Sequence, residues 1–551
     1  MDDSSDAAAT VGEAVVAAMA EAGIDAAFGI PGKQTLPLNE AMASNDIRYV
    51  VARHETAVSH QAWGYAETTG RPAATVVIPG PGDLNAANGL KNAHNDCTPL
   101  LHLAVETAPE VRGGDGIHET PPEVYDELVK ANYTVASPAS AAATVTEAVE
   151  EATTHPKGPV RVGIPKTFLG QTVASAAAGA RDERGPKQPA SDALARASAL
   201  LADATRPALL AGGGVRASDA AGSLEALADH LNAPVVTTYK GKGTLAEDHP
   251  LSAGVLCGGT SPAVASVLED ADALLAVGTD FDAVATGEWG YDLPDRLVHV
   301  TYHASDIGTG YDPAVGILAD ADATLRALRE SLPAGDGDGE RRAQDARAAD
   351  RARLDALVDT HDGNPTSVEA LRAVREAVPR EATVAVDAGG FRIWALVAFP
   401  AYGPRRYVNP GSWATMGTGL PSAIGATVAN PDREVVALTG DGGLMMCLHE
   451  LHTLAAESLD VTVVVFRNDD YAIISEEATR SYGLKEVAYG WGDTPVEFTA
   501  LAESMGVAGY SAHAVDEIPA TVSEARASDG PALVEVRTDP TEPQASEWMR
   551  R

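Results

Sequence analysis

The chain reads as an α/β protein built from three doubly wound parallel-sheet domains, and three observations predict it. Its 551 residues exceed one ordinary domain. Short apolar runs alternate with helix-patterned stretches in three successive blocks, and repeated strand-then-helix alternation implies parallel sheets joined by right-handed crossovers. Two segments of different composition separate the blocks, which sets the domains at 1–172, 191–332 and 365–551.

In the first block Val11–Ala22 has a helical pattern, and Ala26–Gly29, Tyr49–Ala52, Ala73–Ile78 and Leu100–Val105 read as strands. Val173–Ala190, small, charged and Pro-bearing, reads as a linker. The second block holds strands at Pro207–Ala211, before Gly212-Gly213-Gly214, at Ala233–Thr237, and at Ala273–Val277. Pro333–Gly363 reads as a linker followed by a solvated, Ala/Arg-rich helix. The third block has strands at Thr383–Val386, Glu434–Thr439, Val461–Phe466 and Ala532–Val536.

Composition narrows the function classes. Apolar residues make up 45% and charged residues 21%, a globular mixture. No apolar run approaches the roughly 18–20 residues that span a bilayer. Met1–Ala9 lacks the basic flank and apolar stretch of a secretory signal, so a cytoplasmic protein is expected. Cys97, Cys257 and Cys447 lie far apart, which indicates neither a disulfide framework nor a thiolate zinc site. A net charge of −38 argues against nucleic acid and anionic membrane partners. The acidic residues are spread along the whole chain, and we read them as adaptation to high salt, where screening removes their mutual repulsion.

One constellation carries chemistry. The strand Glu434–Thr439 runs directly into Gly440-Asp441-Gly442-Gly443; Leu444, Cys447, Leu448, Leu451 and Leu454 follow at helical spacing, and the strand Val461–Phe466 leads to Asn468-Asp469-Asp470. If these strands are neighbours, about 5 Å apart, Asp441 and Asn468 meet just past the carboxyl ends, where open α/β sheets bind ligands. A carboxylate, an amide oxygen and a backbone carbonyl are hard donors suited to Mg²⁺ or Ca²⁺, with a diphosphate filling further positions.

Gly440-Asp441-Gly442, the 443–467 stretch and Asn468 together resemble the diphosphate-binding motif of thiamine-diphosphate enzymes. The resemblance implies metal ligation by Asp441, Asn468 and the carbonyl of Asp470, with cofactor contacts from Gly390, Gly440, Gly442, Gly443 and Tyr471. Arg467 replaces a second Asn of the motif, on the side that does not bind metal. The first block matches too. Arg53-His54-Glu55, then Ala57 and Gly64-Tyr65-Ala66, is similar to the family's catalytic-glutamate segment, and Ile78-Pro79-Gly80-Pro81-Gly82 with Asn85 to the loop that follows. In relatives this glutamate, here Glu55, hydrogen-bonds N1′ of the aminopyrimidine. It comes from one subunit and the metal site from another, so a homodimer or homotetramer is implied.

Thr415-Met416-Gly417 and Gly419-Leu420-Pro421 resemble acetolactate synthase-like members, where the backbone near Ala414 and Met416 contacts the pyrimidine and the Met supports the bent cofactor. Gly389-Gly390-Phe391 stands where many relatives place polar diphosphate contacts. Ile474 stands where pyruvate decarboxylase-like enzymes carry an acid, and Glu476-Glu477 replaces the pairing that selects the second substrate of true acetolactate synthases. His118 falls near a Gln or His that faces the cofactor in relatives; His54 and His94 are weaker candidates for acid–base work. The cofactors implied are thiamine diphosphate and Mg²⁺. FAD is not indicated, although the middle block could hold it. The expected function is decarboxylation of a 2-oxo acid with carboligation of the resulting enamine. Alternatives are a simple decarboxylase like benzoylformate decarboxylase, an FAD-linked 2-oxo acid oxidase, and a non-catalytic regulatory paralogue, against which the presence of Glu55 argues.

Overall fold

The computed structural model describes residues 9–113, 117–174, 185–360, 364–484 and 489–550. Most of the Val173–Ala190 segment, Gly116 beside His118, the first eight residues and residues 361–363 fall outside these ranges.

Three six-stranded sheets form, and every strand pair within them is parallel. In spatial order the first consists of Arg48–Val51, Ala26–Gly29, Ala73–Val77, Leu100–Glu106, Pro159–Pro165 and Ala131–Thr134. The second runs Ser252–Leu256, Val235–Thr238, Pro207–Ala211, Ala273–Val277, Leu297–Thr301 and Val315–Leu318. The third runs Tyr407–Val408, Thr383–Val386, Val435–Gly440, Val461–Arg467, Ala532–Arg537 and Ala508–Ala512. Numbered by chain order within each sheet, the first and third share the order 2-1-3-4-6-5, while the central one is 3-2-1-4-5-6. A short antiparallel pair, Ala9–Thr10 with Thr172–Val173, brings the two ends of the first block together.

The unbroken apolar strand runs follow from burial on both faces, the rule for parallel sheets flanked by helices. Side chains alternate across the central sheet: Leu209, Leu275 and Val298 pack with Leu224 and Leu325 in one cluster. Leu210, Leu274 and Val236 pack with Val264 and Leu268 in the other. Each such side chain contributes roughly 1.5–3 kcal/mol by leaving water.

The chain divides into two compact units whose limits differ from the three blocks. One comprises residues 1–184 with Trp413–Asp432 and Cys447–Asp460; the other comprises Gly185–Ser412, Arg433–Met446 and Val461–Arg551. Two segments read as part of the third block therefore belong with the first. Gly419–Ala429 is a helix packed on the helix Glu55–Thr69, where Gly64 and Gly425 permit backbone contact: a Cβ at either would strike Ser422 or Gln61 main-chain atoms. The helix expected to be solvated, Gly339–Thr360, instead buries Ala343, Ala346, Leu354 and Leu357. Its Arg342 donates to the carbonyls of Pro207 and Val267, both at 2.9 Å.

A buried ionic cluster spans the first sheet. Arg161 Nη2 donates to Asp83 (2.8 Å) and Nη1 to Glu106 (3.0 Å), while the Tyr125 ring covers its guanidinium. Asp83 also meets His102 Nε2 at 2.9 Å. Arg112 also reaches Glu106 (2.6 Å), but removing Arg161 takes the buried cationic partner from both carboxylates at once. Arg161→Met is therefore expected to cost about 3–5 kcal/mol, read as a lowered thermal midpoint; an unchanged midpoint would refute this account of the cluster.

Candidate active site

The predicted site residues fall into two clusters, one in each unit. In the second unit, Val435–Gly440 pairs with Val461–Arg467 in register from Val435↔Val461 to Gly440↔Phe466. The neighbour on the other side is Thr383–Val386, so this edge is the point where strand order reverses, the ligand crevice of open α/β sheets. Asp441, nearly fully buried, follows at once. Its Oδ2 accepts the backbone N–H groups of Asn468 (3.0 Å) and Asp469 (2.7 Å), and its Oδ1 that of Gly442 (2.8 Å). Burial pushes its carboxyl up to about 6, although these three donors oppose the shift and nearby Asp469 adds to it.

Asn468 Oδ1 accepts the N–H of Asp470 at 3.1 Å, an Asx turn, and Asp469 takes a left-handed φ of 58°, which short polar side chains tolerate. Arg467 is engaged elsewhere, on Asp469 (2.8 Å) and Glu535 (2.7 Å). Tyr471 is partly exposed and meets Trp491 edge-on. The crossover between these strands is interrupted: Asp441–Met445 and Glu450–Ala456 are separate short helices rather than one.

Gly440 and Gly390 both have Phe391 close by in the chain or in space, and Phe391 stacks on Phe466 with centroids 5.3 Å apart. The sequence reading overlooked Asp387, fully buried at the end of Thr383–Val386. It accepts Thr439 Oγ1 at 2.8 Å, and a Cβ on Gly443 would lie 2.6 Å from its Oδ2. A buried acid directly after an apolar strand was the available signal. The donor set of Asp441 and Asn468, with backbone drawn close at Gly443, suits a hard divalent cation with a diphosphate. In the helix Ala472–Tyr482, Ile474 is exposed, and Arg480 holds both Glu476 (2.7 Å) and Glu477, so neither carboxylate stands alone.

In the first unit, Glu55 is the first residue of its helix. His54 caps that helix through Nδ1, which accepts Thr56 N–H at 3.2 Å, and Gly70 ends it with φ 74°. Asn85 Nδ2 donates to Glu55 Oε2 at 3.1 Å, and a Cβ on Gly82 would lie 3.2 Å from its Oε1. The same loop meets His118, whose main chain would collide with a Cβ on Gly80. His118 itself is exposed at φ 63°. Ala414 (φ 43°) and Met416 lie in a segment stapled to the helix Pro81–Asn95: Trp413 Nε1 donates to Asn88 Oδ1 (2.7 Å), and Asn88 Nδ2 to Thr415 Oγ1 (3.2 Å). Asn88 carried no motif to mark it. Glu55, His118, Ala414 and Met416 thus share one unit, as do Gly390, Gly440, Asp441, Gly442, Gly443, Asn468, Asp470 and Tyr471 the other.

Comparison with known sequences gives the family. The family models described as "Thiamine pyrophosphate enzyme", N-terminal TPP binding domain, central domain and C-terminal TPP binding domain match residues 9–127, 194–328 and 387–536. The chain is a thiamine pyrophosphate enzyme. It is 30% identical to the "Probable acetolactate synthase large subunit" of Methanocaldococcus jannaschii, over 96% of this chain and 92% of that one. It is 30% identical to "Acetolactate synthase isozyme 1 large subunit" of Escherichia coli (97% and 94%) and 33% identical to "Probable 2-ketoarginine decarboxylase AruI" of Pseudomonas aeruginosa (96% and 94%). In this thiamine pyrophosphate enzyme the central triple glycine has a packing reason of its own. A Cβ on Gly214 would lie 2.6 Å from the Gly278 Cα, where the loops after two neighbouring strands touch.

The close approach at Gly443 has a measurable consequence. Gly443→Ala forces a methyl against a buried carboxylate and should destabilise by about 1–3 kcal/mol, measured by denaturant unfolding; wild-type stability would contradict the packing described.

Proposed function

We propose that the protein decarboxylates a 2-oxo acid and joins the remaining fragment to a second carbonyl compound, in the manner of acetolactate synthases. The buried Asp441 carboxylate beside Asn468 at the strand-order reversal is the observation that carries this reading. In it, Asp441, Asn468 and the Asp470 carbonyl hold Mg²⁺, and the backbone at Gly390, Gly440, Gly442, Gly443 and Tyr471 receives the diphosphate. When bound, thiamine diphosphate supplies the carbon nucleophile and the electron sink for loss of carbon dioxide. Glu55 holds a proton at N1′ of the aminopyrimidine, the main chain at Ala414 and Met416 orients that ring, and His118 serves as a second proton donor or acceptor. The Glu55 cluster of one copy serves the metal cluster of another, so the working form is a homodimer or a pair of homodimers in the cytoplasm. A net charge of −38 supports a protein suited to concentrated salt.

A second reading is simple decarboxylation to an aldehyde. The similarity to the 2-ketoarginine decarboxylase and the presence of Glu476 and Glu477 favour it.

Incubation with thiamine diphosphate, Mg²⁺ and a panel of 2-oxo acids in molar salt, with products identified by NMR, separates the two: a 2-hydroxy-ketone product supports the first reading, an aldehyde the second. Glu55→Gln is expected to bind cofactor yet lose about 100-fold or more in turnover, and Asp441→Ala to fail to retain cofactor. Full activity in either variant would refute the assignment.

A further inference from the structure

The segment 52–54 joins the strand Arg48–Val51 to the helix that begins at Glu55, and its backbone sets where the Glu55 carboxylate can go. Buried N–H groups in such a connection need acceptors. Two of them, from Arg53 (2.8 Å) and His54 (3.1 Å), converge on one oxygen, Oε1 of Glu450. The other oxygen accepts Gln61 Nε2 at 2.9 Å and Thr453 Oγ1 at 2.7 Å. Glu450 is fully buried, and burial pushes its carboxyl up to about 6, so the fold keeps an acid here at some expense. An ionised carboxylate only accepts, which is why one side chain can serve four donors.

The helix Glu450–Ala456 and its C-cap make two more contacts with this stretch. Glu457 accepts Val51 N–H at 3.1 Å, and His452 Nδ1 accepts Arg53 Nε at 2.9 Å. His449 Nε2 stands 3.5 Å from Glu450 Oε1. Gln61 lies on the Glu55 helix itself, so Glu450 ties together the backbone just before Glu55 and the helix just after it.

We propose that Glu450 is a positioning residue for Glu55: it fixes the Ala52–His54 backbone so that the Glu55 carboxylate is presented at one place and in one direction. This rests on the reading that Glu55 acts on the cofactor's pyrimidine. Shape and one oxygen for the two backbone N–H groups, rather than negative charge, are what the position requires. A glutamine keeps these: its oxygen can accept both backbone N–H groups, while its amide donates to Thr453 Oγ1 and, once the Gln61 amide turns over, to Gln61 Oε1, which is buried without a partner among the described residues. An aspartate is one methylene too short to do so.

The test compares Glu450→Gln, Glu450→Asp and Glu450→Ala in the full-length protein by three measurements. These are hydrogen exchange of the amides of residues 51–57 without cofactor, affinity for thiamine diphosphate with Mg²⁺, and the rate of deuterium loss from C2 of the bound cofactor. Glu450→Ala and Glu450→Asp should expose the amides and slow C2 exchange by about 100-fold, the usual effect of a misplaced catalytic group, with cofactor affinity kept within about threefold. Glu450→Gln should keep the amides protected and C2 exchange within about fivefold of wild type. Wild-type C2 exchange in Glu450→Ala overturns the proposal, and so does Glu450→Gln slowed as far as Glu450→Ala with its amides still protected. Should Glu450→Ala not fold, the glutamine and aspartate variants decide alone. If the wild type binds no thiamine diphosphate, the functional reading fails, and amide protection still judges the clamp.

Discussion

In the third sheet, Val435–Gly440 and Val461–Arg467 run parallel and end at the same edge, with Gly440 opposite Phe466. The Asp441 carboxylate then closes the gap between the two strand ends by accepting the N–H groups of Asn468 and Asp469. That contact sets the rest of the cluster around Asp441. It holds the backbone of the Asn468–Asp470 turn, in which Asn468 Oδ1 accepts the Asp470 N–H, and the Asp469 side chain turns to Arg467. Among the described residues this buried acid is held by backbone donors, which leaves it electrostatically costly, and a divalent cation would relieve it.

The link between those two strands does a second task. Because it is broken after Met445, the residues from Cys447 onward are freed from the sheet they connect and belong to the unit that contains Glu55. There Glu450 satisfies the connection on which Glu55 stands. The ionic cluster of Arg161, Asp83, His102 and Glu106 fixes Asp83 in the first turn of the helix Pro81–Asn95, whose Gly82 and Asn85 approach Glu55 and whose cap, Gly80, approaches His118. Polar groups buried around the acid are thus used to fix backbone, which is what placing one carboxylate demands.

Much of this was legible in sequence because its signals are local. Ala26–Gly29, Pro207–Ala211, Ala273–Val277 and Thr383–Val386 appear at the boundaries that apolar runs and glycines suggested. Gly440-Asp441-Gly442 and Asn468 carry their own spacing, since one crossover separates them. Glu450 was missed although it interrupts the apolar stripe of Cys447, Leu451 and Leu454. An acid on such a stripe signals burial, but its partners Arg53, His54 and Gln61 are remote in sequence. Asn88 was invisible for the same reason, Asp387 had only its place after an apolar strand to mark it, and Gly339–Thr360 was misjudged because its many charges hide a narrow apolar face.

The sequence by itself determined the three parallel sheets, the family and the residues that carry its motifs, because strand periodicity, glycine turns and short-range spacing are properties of neighbouring residues. Only the tertiary structure decided which segments share a unit, that the crossover after Asp441 divides, that Glu450 accepts the N–H groups of Arg53 and His54, and that Arg161 pairs with Asp83 and Glu106. Those outcomes depend on satisfying buried N–H groups and charges with partners tens to hundreds of residues away, and no local pattern specifies such a partner.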